Sequence, residues 1–134
     1  MEACLTNTSP AVLLVDDNIV ALALMEASLK DLGCSVLPAG NGRDALDILH
    51  AGASVDLVVT DLRMPVMDGQ ELLQKIRASE TLKHLPVILC SGDMDVALMR
   101  QAEEDGCTTY LIKPVFPDVL FEQILALLER AAAA

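Results

Sequence analysis

The chain is almost without aromatic side chains. Its 134 residues include no tryptophan, one tyrosine and two phenylalanines, although 53% of them are hydrophobic. Its core must therefore be aliphatic, made of Leu, Val, Ile, Ala and Met. Positive charge is scarce too: nine Lys and Arg stand against twenty Asp and Glu, a net charge of −11. Such a surface repels phosphate backbones and anionic lipid at long range, which argues against direct nucleic-acid or membrane-surface binding. No apolar run approaches the roughly 20 residues of a membrane span. Glu2 and polar neighbours occupy the N-terminus, where a signal peptide would carry charged and apolar regions. Cys4, Cys34, Cys90 and Cys107 show no CxxC spacing and no zinc pattern with histidine. They read as small buried hydrophobes in a reducing compartment. The length suits one domain with an ordinary core, and the expected location is the cytoplasm.

What is present is a regular alternation. Apolar runs at 11–15, 34–38, 55–60, 86–90 and 107–112 are short and continuous, as strands buried on both faces are. Helical spacing fills the gaps. Ala21, Leu24, Met25, Ser28, Leu29 and Leu32 share one face before Gly33; further helices fall between Asn41 and Ala51, after Gly69, over 94–105 and after Pro117. Five strands alternating with five helices predict an α/β fold, (βα)5, with right-handed crossovers and a parallel sheet covered on both faces. Residues 1–10 read as a flexible leader, 11–130 as the domain, and 131–134 as helix extension or tail.

Sites in such sheets form at the carboxyl ends of the strands. Those ends carry Asp16 and Asp17, then Asp61, Ser91, and Lys113 before Pro114. A single strand-end Asp often only caps a helix, and Asp16 or Asp17 alone suits that duty. Three acids, a hydroxyl and an amine on one edge are a different matter. Crowded carboxylates raise one another's pKa and call for a cation. Lys113 supplies one charge, and a hard divalent ion, best Mg²⁺, supplies two.

The segments VDDN (15–18), DLRMPVMDG (61–69), SG (91–92) and YLIKP (110–114) resemble the receiver domain of two-component response regulators, and the match covers about residues 11–130. The resemblance implies a flavodoxin-like, doubly wound sheet of strand order 2-1-3-4-5. It implies Asp61 as phosphoacceptor, taking a phosphoryl group from the phosphohistidine of a sensor histidine kinase or histidine phosphotransfer protein. Asp16, Asp17, Asp61 and the backbone carbonyl of Arg63 would hold Mg²⁺, while Lys113 and Ser91 would meet the phosphoryl oxygens. Ser91 stands where Thr is commoner, and keeps the hydroxyl. Pro114 would follow a cis peptide, Gly69 would serve a turn needing positive φ, and Tyr110 would rotate with Ser91 as the switch. Arg63 and Asp93 occupy positions that modulate phosphoaspartate lifetime, and the two are expected to form a salt bridge over the site. Ile19, Leu22 and Ala23, off the expected core face of the first helix, are the expected docking patch for a phosphodonor. Output would pass through the fourth helix, fifth strand and fifth helix to a downstream protein. Such a domain promotes only its own phosphorylation and slow dephosphorylation.

Other classes fit less well. Phosphohydrolases with an aspartyl nucleophile want a D-x-D pair, whereas Asp16 and Asp17 are adjacent. An electron-transfer flavoprotein wants a Ser/Thr/Gly-rich phosphate loop, where this chain has Asp-Asp-Asn. Intact Asp16, Asp17, Asp61, Ser91 and Lys113 argue against a receiver that merely binds. A receiver fragment of a hybrid histidine kinase is an alternative setting for the same chemistry.

Overall fold

The apolar runs become strands of one sheet: β1 (Ala11–Val15), β2 (Ser35–Ala39), β3 (Leu57–Asp61), β4 (Val87–Ser91) and β5 (Thr109–Ile112). Between and after them lie α1 (Ile19–Asp31), α2 (Gly42–His50), α3 (Gly69–Ala78), α4 (Val96–Glu104) and α5 (Pro117–Ala133). The computed structural model describes residues 9–92 and 94–133. Most of the expected leader (1–8), Cys4, Asp93 and Ala134 lie outside the described residues. Every strand pairing is parallel, in the order β2-β1-β3-β4-β5. The register sets Val15 beside Ala39 and Thr60, Asp61 beside Cys90, and Ser91 beside Ile112. The carboxyl ends of the strands are therefore level, and whatever follows them shares one edge.

Central β3 and β4 are buried at every position, while edge β2 is half exposed and carries Pro38, which a central strand would not tolerate. Alternate strand residues feed two cores. Leu13, Val15, Val58, Val87 and Leu89 pack with Ala45 and Leu49 of α2, Leu72, Leu73 and Ile76 of α3, and Ala102 of α4. Val12, Leu14, Leu57, Val59, Ile88 and Cys90 pack with Leu29 of α1 and with Leu120, Ile124 and Leu127 of α5. Each fully buried Leu or Ile contributes roughly 1.5–3 kcal/mol. Among the described residues, no helix is long and apolar enough to cross a membrane.

Several local expectations are corrected. The buried face of α1 is Leu22, Met25 and Leu29, with Ala21 exposed and Leu24 66% exposed. The helix is apolar on nearly every side, so its spacing admits two faces, and packing against β2 and α5 selects one. Met94 precedes α4, whose N-cap is Asp95. Gly69 does not take a positive φ; that conformation belongs to Gly33, Gly52, Gly106 and, unexpectedly, Val66. Residues 131–133 continue α5.

Candidate functional site

Asp16 and Asp17 leave β1 just before α1, but neither caps it. Asn18 does: its side-chain oxygen accepts the Ala21 N–H at 3.0 Å. One oxygen of Asp16 accepts the Asn18 N–H at 2.9 Å, which turns the chain and fixes the carboxylate at the strand end. Asp61, the last residue of β3, is only 8% exposed. Carboxylate oxygens of Asp16, Asp17 and Asp61 all lie within 4.8 Å of one another. On the other side of Asp61, Lys113 Nζ stands 2.6 Å from Oδ1. The Lys113 N–H donates to the Ser91 carbonyl at 2.8 Å, and a cis peptide joins Lys113 to Pro114, as expected. Ser91 is buried at the end of β4.

A cavity of about 300 Å³ opens here, lined by Asp61, Arg63, Cys90, Ser91, Gly92 and Lys113. Its electrostatics follow from crowding. Burial, then hydrogen bonding to Asp16 and repulsion from it, push the Asp61 carboxyl up to about 7, against the pull of Lys113. Burial pulls the Lys113 ammonium down, but Asp61 and Asp16 outweigh it and hold the group above its ordinary value. The Cys90 thiol, buried beside Asp61, is pushed up to about 12 and is no nucleophile. An all-oxygen donor set this crowded suits a hard cation, whose charge would relieve the repulsion.

The loop from β3 to α3 is held at several points. Gly69 N–H donates to the Leu62 carbonyl at 2.8 Å, and Gly42 N–H, at the start of α2, donates to the Met67 carbonyl at 3.0 Å. A Cβ on Gly69 would collide with the Asp61 carbonyl oxygen and lie 3.0 Å from Leu62 Cα. Glycine is needed here for close approach. Between the fixed points, Met67 N–H donates to the Pro65 carbonyl at 2.8 Å across Val66, whose φ is 71°. That is a three-residue γ-turn of the strained hand on a β-branched residue.

The structure thus brings together Asp16, Asp17, Asp61, Arg63, Ser91 and Lys113. Tyr110 sits half-buried on β5 beside Leu89 of β4, against the core covered by α2, α3 and α4. Asp93, and with it the expected bridge to Arg63, lies outside the described residues. Of the expected docking residues, Ile19 is 82% exposed and Ala23 is exposed, but Leu22 turns inward. Sequence reasoning missed Cys90 as a cavity wall, although its place before Ser91 signals it, and missed Val66, for which a valine carries no signal.

A model of the response regulator receiver domain family matches residues 12–125. Chemotaxis protein CheY of Pseudomonas aeruginosa is 38% identical over 120 residues, covering 89% of this chain and 96% of that protein. Chemotaxis protein CheY-3 of Vibrio cholerae is 37% identical over 131 residues, covering 97% and 99%. The solved response regulator receiver domain protein of Clostridium thermocellum superposes with a TM-score of 0.85 at 29% identity, over 92% of this chain and 98% of that one. With its parallel 2-1-3-4-5 sheet and its acidic strand ends, the chain belongs to the response regulator receiver domain family of two-component systems.

Proposed function

We propose that the protein is a phosphoacceptor switch in which Asp61 takes a phosphoryl group from the phosphohistidine of a sensor histidine kinase or histidine phosphotransfer protein in the cytoplasm. The observation that carries this reading is a nearly buried Asp61 with Lys113 Nζ at 2.6 Å and two further carboxylates within 4.8 Å. A carboxylate oxygen of Asp61 would form the new bond to phosphorus. The P–N bond of the donor breaks, and its electron pair returns to the imidazole nitrogen, which takes up a proton. Asp16, Asp17, Asp61 and the Arg63 carbonyl would hold Mg²⁺. When bound, that ion supplies positive charge that neutralises the transferring oxygens. Lys113 serves the same end from the opposite side, needing no rearrangement because its ammonium already rests on Asp61.

Phosphorylation replaces the single charge of the Asp61 carboxylate with a phosphoryl group of about −2, a net gain of about one negative charge, and brings three acceptor oxygens to a buried strand end. Ser91, at the neighbouring strand end, donates its hydroxyl to one of them. Tyr110, one strand further along, follows Ser91 and alters the surface of α4, β5 and α5, which a downstream protein reads. Arg63 at the cavity mouth, together with Asp93, sets how readily water reaches the phosphoaspartate.

The test is intact-mass measurement after incubation with acetyl phosphate and Mg²⁺. One added phosphoryl group is expected on the native chain and none on Asp61→Asn. Absence of the adduct, or sustained turnover of unrelated phosphate esters, would overturn the reading.

A further inference from the structure

α4 (Val96–Glu104) meets the core through Ala102 and, a turn earlier, through the half-buried Leu98, while its side-chain hydrogen bonds to α3 lie at its far end. Ala102 is its one buried residue, and Val96 at its start is 64% exposed. The far end has an electrostatic difficulty. Glu103, Glu104 and the C-cap Asp105 gather at the negative pole of the helix, whose last turn has no basic residue. Asp105 is nevertheless gripped. One carboxylate oxygen accepts from Gln70 Nε2 and Gln74 Nε2, each at 3.1 Å, and the other accepts from Gln101 Nε2 at 3.1 Å. Two of these donors belong to α3. Arg77, also on α3, donates Nε to the Gly106 carbonyl at 2.9 Å, so two consecutive residues of the α4–β5 turn are tied to that helix. α3 is itself seated firmly, since Gly69, the residue before Gln70, is pressed against the Asp61 carbonyl.

We propose that Asp105 is the pivot of α4. Its carboxylate, held by Gln70, Gln74 and Gln101, fixes the C-terminal end of α4 to α3 and leaves the N-terminal end to move with the loop that follows Ser91. Three neutral amide donors hold the carboxylate without adding a cation, and they offset an end that the helix dipole disfavours. Motion begun at Ser91 then becomes rotation about a fixed far end. The grip exists in the unmodified protein; only the use made of it rests on the phosphoacceptor reading.

Two measurements on the full chain test the pivot. In the unmodified protein, hydrogen exchange of the Asp105 and Gly106 amides should quicken roughly three- to tenfold in Gln70→Ala/Gln74→Ala, with sheet amides unchanged. Asp105→Asn, which keeps an acceptor oxygen, should fall between the two. Unchanged exchange in the double variant would overturn the grip. With acetyl phosphate and Mg²⁺, once mass shows the adduct, native amide NMR shifts should be large over 94–98 and fade towards Asp105. In the double variant they should spread through 103–106. Equal shifts at both ends of native α4 would sink the pivot, whereas failure to form any adduct would sink the phosphoacceptor reading and leave the exchange test intact.

Discussion

Val66 stands in a backbone conformation that favours glycine or asparagine, with φ at 71° and 77% of its surface exposed. The flanking hydrogen bonds at Met67 and Gly69 hold it there, and no buried contact compensates. Val66→Asn should therefore raise stability by about 1 kcal/mol in urea unfolding, because asparagine tolerates this region better than a β-branched side chain. Asp61 is under strain of another kind. Its pKa is raised from 3.8 to about 7, so the folded state keeps a proton that the unfolded chain has lost. The contribution of Asp61 to the stability of the metal-free protein should be greatest below the unfolded value, fall as pH rises from about 4 to 7, and level off above. Thermal unfolding in EDTA should show that fall in the native chain and a much flatter profile in Asp61→Asn, while added Mg²⁺ should recover stability at pH 8 only where Asp61 is present.

Elements were legible where their pattern allowed one solution. β3 and β4 announced themselves as continuous apolar runs, and their terminal Asp61 and Ser91 proved to be the last strand residues rather than the first loop residues. α1 admits more than one buried face, because IVALALMEASLKD offers apolar residues in every direction, and neighbouring elements decide the burial of Leu22 over Leu24. Gly69 is required for close approach and not for positive φ, a distinction that local propensity does not encode because a close approach between two backbones leaves no trace in it. That reason is testable. Gly69→Ala should cost about 1–3 kcal/mol by overpacking against Asp61 and Leu62. If positive φ were the requirement instead, Gly69→Asn would be tolerated, and equal loss in both variants on chemical denaturation marks the steric cause.

At the scale of the whole molecule, a level parallel sheet explains why so much of the site could be read from strand ends alone. Five carboxyl ends share one edge, so residues scattered from Asp16 to Lys113 meet without any loop having to travel far. The same sheet divides the interior into two cores, with Leu72 in one and Leu120 in the other. Leu72→Ala and Leu120→Ala should each cost about 2–5 kcal/mol. The double variant should lose the sum to within about 0.5 kcal/mol in urea unfolding, since sites across a sheet share few partners. The poverty in aromatics has a practical side as well. Tyr110, half-buried beside the fourth strand, is the only tyrosine, and there is no tryptophan to quench or mask it. The two phenylalanines absorb at shorter wavelengths than tyrosine, so the tyrosine emission of the native chain, selectively excited, reports on one ring without any label.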